Sequence, residues 1–181
     1  SMRRSRIVTG TGTGPGNPRE HENFITSFID ASSVYGSDLD RANWLRTFQD
    51  GKLKTSEEDM LPFNTIDGEY DSALDSDAPE MDDPVGMGPK HYVAGDVRAN
   101  ENSLLTSFHT LFVREHNRIC DELLITHPNW TDEQVYQHAR KFVGGMIQAI
   151  AYEEWLPTMG VDLATYNGYD ASIDAGISNL F

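Results

Sequence analysis

A run of oxygen-bearing residues between positions 26 and 32 has the spacing of a site for a hard metal ion. Thr26, Asp30 and Ser32 carry side-chain oxygens at alternate positions, and Phe28 between them offers its backbone carbonyl. Ca²⁺ takes about six to eight oxygen ligands, more than this loop supplies with its one carboxylate. The same residue types are also typical of a turn in which short polar side chains bond the nearby backbone. On spacing alone, the turn is the better interpretation.

A second candidate site precedes the first of two long predicted helices. The segment AGDVRANE at 94–101 places Arg98 and Glu101 three residues apart, so they would share one face of a helical turn. One interpretation is a local ion pair, worth well under about 1 kcal/mol. A basic residue at a helix start is unfavourable, because that end of the helix dipole is positive. We therefore predict an anionic partner for Arg98, such as a carboxylate cofactor or a developing oxyanion.

The histidines and the single cysteine form no recognisable metal or nucleophile motif. His109 and His116 are seven residues apart, which is two helical turns and too far for one shared metal ion. The sequence contains no His-Glu-x-x-His pattern and no nucleophile elbow. Cys120 alone makes neither a disulfide within the chain nor a cysteine-based zinc site. We predict that these histidines are buried or half-buried polar residues that tie helices together.

Two long helices are predicted to position these residues, over about 103–124 and 131–155, and the fold class is mainly α with long irregular loops. Both show apolar residues at helical spacing. These are Leu104, Leu105, Phe108, Leu111, Phe112, Ile119 and Leu123, then Val135, Ala139, Phe142, Val143, Met146, Ile147 and Ile150. Thr131 and Gln134 form a capping box at the start of the second helix, and Pro157 should end it. Gly144-Gly145 within it predicts close backbone packing.

The negative charge of the chain is concentrated in one segment. The 181 residues carry 14 basic and 29 acidic side chains, a formal net charge of −15. Eleven of the acids lie in residues 55–89, which contain four prolines and neither Lys nor Arg. No register supplies both the Gly and the Glu of an EF-hand. We predict a solvated acidic surface loop.

Composition argues against two classes of partner. The chain has no basic stripe that would neutralise phosphates, so we expect no nucleic-acid binding. The acid excess disfavours an anionic membrane surface, and no apolar run approaches the ~20 residues of a membrane span. The glycines at 10–16 are interrupted by Pro15 and follow no predicted strand, so they do not indicate a nucleotide site.

Several segments together resemble the animal-type haem peroxidase family, the myeloperoxidase–cyclooxygenase superfamily. They are SFIDASSVYGS at 27–37, AGDVRANE at 94–101, LLTSFHTLFVREHNRICDEL at 104–123, HPNWTDEQVYQHARKFVGGMIQAIAYEEWLP at 127–157 and YNGYDASID at 166–174. The resemblance covers about residues 24–181, with the motifs in the family's order. It implies a mainly helical fold built around haem b, with Ca²⁺ as a second cofactor.

The resemblance implies roles for both residues of the second candidate site. Arg98 matches the distal-side arginine of the family, whose fixed guanidinium stabilises the negative charge on the leaving oxygen when peroxide is cleaved. Glu101 matches a glutamate that forms an ester with a haem methyl group in many members. Asn102 stands where myeloperoxidase has a methionine, so we expect no sulfonium link to haem.

The resemblance also reverses the preference for a simple turn at 26–32. Thr26, Phe28, Asp30 and Ser32 match the calcium loop of the family. The carboxylate that completes this calcium shell belongs to an aspartate beside the distal histidine, which lies upstream of this chain in the family pattern.

The iron-ligand histidine of the family should lie shortly beyond Phe181, and none of the six histidines of the chain stands at a matching position. We therefore expect no iron ligand in this chain and no peroxidase activity from the chain alone. Residues 1–2 are interpreted as a tag remnant and 3–181 as the central portion of a single haem peroxidase domain.

The implied function is a peroxidase that reduces hydrogen peroxide and oxidises halide, phenolic or other small donors. We expect a secreted protein, extracellular or periplasmic, with a role in the response to oxidative stress. One alternative is a haem-dependent fatty-acid dioxygenase of the same superfamily, although the Asp-x-Arg-x-x-Glu arrangement at 96–101 favours the peroxidase. Another is a non-catalytic calcium-binding adhesion or scaffold module on a degenerate peroxidase fold. Apolar helix faces built for absent neighbours also predict self-association.

Overall fold

The computed structural model of the chain describes residues 6–22, 25–82, 86 and 88–172. The chain divides into two compact units, the first made of Ser1–Phe28 with Ala164–Phe181 and the second of Ile29–Leu163. The tag remnant assigned to residues 1–2 and the last two residues of the 166–174 segment lie outside the described residues. The second unit carries all of the named helices.

The second unit is mainly helical, as predicted. Its elements are α1 (Ser32–Tyr35), α2 (Leu39–Trp44), a 3₁₀ turn (Glu57–Asp59), α3 (Ser103–Thr126), α4 (Asp132–Ala149), a π-helical segment (Ile150–Trp155) and α5 (Leu156–Thr158). Within the described ranges, β pairing is limited to isolated bridges. No helix of the described residues is long and apolar enough to span a bilayer.

Side-chain caps explain where the two long helices begin. The Asn102 side chain accepts a hydrogen bond from the Leu105 N–H at 2.9 Å, and the capping box of Thr131 and Gln134 is present. The sequence predicts that Pro157 ends the second long helix. In the structure, the helical path of α4 continues through the π-helical segment into α5, which includes Pro157. Pro157 lies in the first turn of α5, which directly follows the π-helical segment, and the helical path ends at Thr158.

The buried face of α3 is more polar than its apolar pattern predicts. Its buried residues are His109, Thr110, Val113, His116, Ile119 and Cys120. Leu104, Phe108 and Leu111 are instead 67%, 52% and 55% exposed, so these apolar residues lie outside the core. The core lies where α3 packs on α4 and α1.

The glycine pair of α4 does not mark a close contact. A Cβ placed at Gly144 or at Gly145 would meet no atom within 4 Å, so the predicted close backbone packing is absent there. Phe142 and Ile150 on the same helix are 57% and 42% exposed. The buried side of α4 is formed by Val135, Tyr136, Ala139 and Val143.

A buried chain of hydrogen bonds joins α1, the turn at Gly51 and α3. The Tyr35 hydroxyl and His116 Nδ1 are 2.8 Å apart, and His116 Nε2 lies 2.8 Å from the Gly51 carbonyl. A carbonyl only accepts, so Nε2 carries the proton and Nδ1 accepts from the tyrosine. His109 Nδ1 similarly reaches the Ser33 carbonyl at 3.0 Å. The prediction that these two histidines tie elements together is confirmed.

Gly51 is required by this arrangement. Its φ of +71° lies in the left-handed region, and a Cβ there would lie 2.6 Å from the Tyr136 N and 2.7 Å from the Val135 side chain. The turn therefore brings its backbone against α4 while its carbonyl reaches His116 on α3.

The acidic segment is packed against the core rather than solvated along its length. Leu61 and Thr65 are fully buried within it. Arg41, itself 7% exposed, donates to the Glu80 carbonyl at 2.7 Å and fixes that backbone to α2. The carboxylates of the 3₁₀ turn remain exposed. The segment is therefore anchored at Leu61, Thr65 and Glu80, while these carboxylates face solvent.

Stability should fall in mildly acidic solution because of His116. Burial lowers the pKa of His116 from 6.5 to about 4 in the folded chain. Between these values the unfolded chain binds more protons, so the folded state loses stability as the pH falls. We expect a loss of about 2 kcal/mol from this group between pH 6.5 and 5, measured by urea unfolding.

The matched comparison is His116→Gln against His138→Gln, since His138 is exposed on α4. The pH dependence should flatten in His116→Gln and persist in His138→Gln. Equal slopes in both variants would contradict the assignment.

Candidate active site

The segment 94–101, termed here the Arg98 loop, is held at its backbone from three directions. Arg41 Nη1 donates to the Ala94 carbonyl at 2.8 Å. The Asp82 N–H donates to the Val97 carbonyl at 2.9 Å, and the Thr106 hydroxyl of α3 donates to the Ala99 carbonyl at 2.7 Å. The loop is thus fixed to α2, to the acidic segment and to α3.

Gly95 lets the Arg98 loop lie directly on α1. A Cβ at Gly95 would be 2.6 Å from the Gly36 N and closer still to the Ser32 carbonyl, and both are backbone atoms. Backbone cannot move aside as the end of a flexible side chain can, so only glycine fits this approach. The Arg98 loop and the first turn of α1 are therefore in direct contact.

The anionic partner of Arg98 is Asp96, within the same loop. Nε and Nη2 of Arg98 donate to the two Asp96 oxygens at 2.8 and 2.6 Å, and the Arg98 N–H donates to Oδ1 at 2.9 Å. The anion that pairs with Arg98 in this structure is therefore a carboxylate of the same loop, not a cofactor or an oxyanion, and the local ion pair forms with Asp96 and not with Glu101. The spacing of Asp96, two residues before Arg98, was visible in the sequence but carried no signal of this pairing.

Burial and hydrogen bonding act in opposite directions on the charge of Asp96. The residue is only 8% exposed, and burial alone would raise the pKa of its carboxyl. The hydrogen bonds from Arg98 outweigh this effect, so the pKa lies below its ordinary value. The pKa of Arg98 is raised, first of all by its hydrogen bonds to Asp96. Both groups are therefore charged at neutral pH.

The pairing with Asp96 leaves one edge of the guanidinium available. Asp96 takes the Nε–Nη2 edge, and Nη1 makes no hydrogen bond to any residue in the part of the chain that the structure describes. The Arg98 side chain is 52% exposed. An arginine in this state can present its Nη1–Nη2 fork to an anion while remaining fixed by its other edge.

Glu101 borders a cavity of about 850 Å³ beside the start of α3. Leu104, Phe108, Leu111 and Tyr92 contribute apolar surface to its wall. This explains the exposure of the α3 side chains, since they face the cavity rather than the core. Arg98 is not part of the lining, although it lies one turn before Glu101.

The chemistry of this cavity fits a flat apolar cofactor with Glu101 at its edge. Its volume falls within the range of about 300–1,000 Å³ typical of cofactor sites. Its wall also contains Asn100, which is 5% exposed and whose Oδ1 is buried without a hydrogen-bond partner in the described structure. The Asn100 Nδ2 group donates to the Tyr92 carbonyl at 2.8 Å, which fixes this part of the wall.

The oxygen-bearing residues at 26–32 form local turns. In the first unit, the Phe28 N–H donates to Thr26 Oγ1 at 3.0 Å, and in the second, the Ser32 N–H donates to Asp30 Oδ1 at 3.0 Å. These hydrogen bonds are those expected of a turn in which short polar side chains bond the nearby backbone. The donors are nevertheless all hard oxygens, the type that Ca²⁺ prefers. No cluster of three or more His, Cys, Asp or Glu suited to a metal occurs within the described ranges.

The buried histidines of α3 are engaged elsewhere. His116 bonds Tyr35 and the Gly51 carbonyl, and His109 bonds the Ser33 carbonyl. Burial lowers the pKa of both rings, so both are neutral at pH 7.

Comparison with known proteins places the chain in a family. The family model for animal haem peroxidase matches residues 1–181. The chain is 42% identical over 176 residues to the peroxidasin homolog of Mus musculus, covering 91% of this chain and 11% of that protein. It is 39% identical over 174 residues to the myeloperoxidase of Mus musculus, covering 90% of this chain and 23% of that protein.

Solved structures agree with this assignment. The chain superposes on peroxidase A from Dictyostelium discoideum with a TM-score of 0.80 and 32% identity, covering 97% of this chain and 35% of that chain. Superposition on the fatty acid alpha-dioxygenase of Oryza sativa gives a TM-score of 0.56 with 27% identity, covering 80% of this chain and 20% of that chain. The chain therefore spans about a third or less of the proteins it matches, and it belongs to the animal haem peroxidase family, whose name implies haem as the cofactor.

Proposed function

We propose that these residues form the central part of a haem peroxidase that reduces hydrogen peroxide and oxidises halide, phenolic or other small donors. The observation that carries the proposal is the fixed guanidinium of Arg98, with one edge open, one turn before a glutamate that borders an apolar cavity. Because the chain covers only part of its relatives, the activity is proposed for the full protein that contains it.

The proposed roles divide between Arg98 and Glu101. Haem, when bound, supplies the redox chemistry between peroxide and the donor. The Arg98 fork stabilises the negative charge that gathers on the leaving oxygen of peroxide, and a preorganised donor of this kind contributes about 3–4 kcal/mol in other enzymes. The Glu101 carboxylate would hold the cofactor through an ester to a haem methyl group, formed with loss of a methyl C–H bond and with peroxide as the two-electron oxidant. Asn102 follows Glu101 directly and has no sulfur atom, so it cannot form a sulfonium link to haem.

We propose that Ca²⁺ is bound by Thr26, Phe28, Asp30 and Ser32. The ligands would be the hydroxyls of Thr26 and Ser32, the backbone carbonyl of Phe28 and the carboxylate of Asp30. The support is the family membership together with the hard-oxygen donor set. The turn bonds to Thr26 Oγ1 and Asp30 Oδ1 leave each oxygen a further lone pair for a metal.

A fatty-acid dioxygenase is the second candidate, because the chain also resembles the fatty acid alpha-dioxygenase of Oryza sativa. The higher TM-score and identity with peroxidase A, and the names of the relatives, favour the peroxidase. Oxygen uptake with a fatty acid, measured against donor oxidation with peroxide, separates the two activities.

We also propose that the full protein is secreted, to an extracellular or periplasmic location, and that it acts in the response to oxidative stress.

We further propose that the chain self-associates through its apolar helix surface. Phe142 is 57% exposed and borders a groove between α3 and α4. Sedimentation velocity of the chain measures the association directly.

Replacement of Arg98 should impair the reaction with peroxide and not the binding of haem. In the haem-loaded full-length protein, Arg98→Leu should slow the reaction by about two to three orders of magnitude, because charge stabilisation at the leaving oxygen is lost. The rate is followed by stopped-flow absorbance of the Soret band. Arg118→Leu is the control, since Arg118 pairs with Glu115 and Glu122 on the outer face of α3. An unchanged rate in Arg98→Leu would exclude Arg98 from the reaction.

Glu101 should tether haem covalently after turnover with peroxide. Acid–acetone extraction of the peroxide-treated protein should leave haem on the wild type and release more of it from Glu101→Gln. Glu122→Gln, on the exposed face of α3, should behave as the wild type does. Equal release from wild type and Glu101→Gln would show that no ester forms at this position.

Asp30 should dominate calcium affinity, because it is the one carboxylate of its loop. Asp30→Ala should therefore lower calcium retention through a desalting column, measured by elemental analysis. Asp170→Ala is a closely matched control, since both aspartates lie in Asp-Ala-Ser and accept from the serine N–H, at 3.0 and 2.9 Å. A wild-type protein without bound calcium, or equal loss in both variants, would rule out the site.

A further inference from the structure

We propose that Asp96 is a positioning residue, which orients the guanidinium of Arg98 so that its Nη1–Nη2 fork faces the reacting peroxide. The inference rests on the proposed role of Arg98 and extends it to a residue that does not touch substrate or cofactor.

The contact between the two side chains fixes orientation as well as distance. Asp96 Oδ1 accepts from both the backbone N–H and Nε of Arg98, at 2.9 and 2.8 Å, and Oδ2 accepts from Nη2 at 2.6 Å. Two parallel bonds to one carboxylate hold the guanidinium plane, which a single bond would leave free to rotate. The third bond ties the same carboxylate to the backbone from which the arginine side chain starts.

The two partners differ in burial, and this indicates which of them holds the other. Asp96 is 8% exposed, whereas the Arg98 side chain is 52% exposed. The backbone around Asp96 is fixed by Arg41 at Ala94 and by the contact of Gly95 with α1. The buried carboxylate is therefore the fixed partner and the exposed arginine is the one that is held.

Holding the arginine in advance lowers the entropy lost on reaction. A free arginine side chain samples many rotamers, and this freedom must be given up when the guanidinium binds an anion. Here that ordering is present in the folded chain before any anion arrives. A misplacement of about 1 Å in a catalytic group costs roughly a hundredfold in rate.

The negative charge of Asp96 also opposes anion binding at Arg98. Positioning and simple charge therefore predict opposite effects when Asp96 is replaced. Asp96 reduces the positive potential at Arg98, and the charges of Glu101 and Asp82 act in the same direction. If Asp96 acted only as a nearby charge, its removal would strengthen anion binding and speed the reaction. If it acts by positioning, its removal weakens both.

The decisive variant is Asp96→Asn in the haem-loaded full-length protein, with Asp82→Asn as the matched control. Asp82 contributes a charge near Arg98 but makes no hydrogen bond to its side chain. We expect Asp96→Asn to slow the reaction with peroxide by about tenfold to a hundredfold and to weaken fluoride binding to the ferric protein in the same direction. Asp82→Asn should leave both unchanged or slightly improved. Stronger fluoride binding or a faster reaction in Asp96→Asn would overturn the inference.

A double-mutant cycle shows whether the effect passes through Arg98. In an Arg98→Leu background, Asp96→Asn should have no further effect on rate or on fluoride affinity, because there is no guanidinium left to position. An equal loss in both backgrounds would overturn the inference while leaving the role of Arg98 intact. A normal rate in Arg98→Leu alone would instead remove the proposed role of Arg98, and with it this inference.

Asp96→Glu provides a second test if the asparagine variant folds poorly. It keeps the charge and displaces the carboxylate by one methylene group, so positioning predicts a loss and charge alone predicts none. Thermal unfolding and the Soret spectrum of each variant separate a loss of fold from a loss of orientation. A folded Asp96→Glu protein with wild-type rate and fluoride affinity would contradict positioning.

Discussion

The hydrogen bonds from Tyr35 to His116 and from His116 to Gly51 fix how the helices of the second unit meet. They bring α1, the turn at Gly51 and the middle of α3 together at a point with almost no solvent access. Burying three polar groups is unfavourable unless each is bonded, so a helix shifted by one turn would leave them unpaired at about 1–3 kcal/mol each. Since α1 also contacts the Arg98 loop at Gly95, the position of Arg98 depends on this buried chain.

The polar buried face of α3 has a direct consequence for the candidate site. His109, Thr110 and His116 occupy the side of the helix that packs on α1 and α4. The apolar residues Leu104 and Phe108 are therefore turned to another side, where they border the cavity next to Glu101. A helix whose core side is partly polar and whose open side carries large apolar residues is arranged to contact an apolar group, and haem is the one that the family implies.

The electrostatics of the site are set locally, in spite of the net charge of −15. Burial alone would destabilise a charged Asp96, and only the bidentate contact with Arg98 keeps its pKa low. In turn, that contact determines which edge of the arginine remains open. A strongly acidic protein can therefore present a positively charged fork, because a single buried carboxylate orders the arginine without enclosing it.

The sequence alone determined the elements and the residue types that could do chemistry. The capping box at Thr131 and the helical spacing of apolar residues located both long helices to within a few residues, because caps and periodicity are local properties. The family motifs likewise singled out Arg98 and Glu101 as candidates without coordinates. Only the tertiary structure decided which face of α3 is buried, since Leu104 and His109 compete for the core and the outcome depends on hydrogen-bond partners far along the chain. It also decided that Asp96, and not Glu101, binds Arg98. Spacing permits either pair, and the loop backbone that presents Asp96 to Arg98 is fixed by partners far along the chain, at Arg41 and at α1.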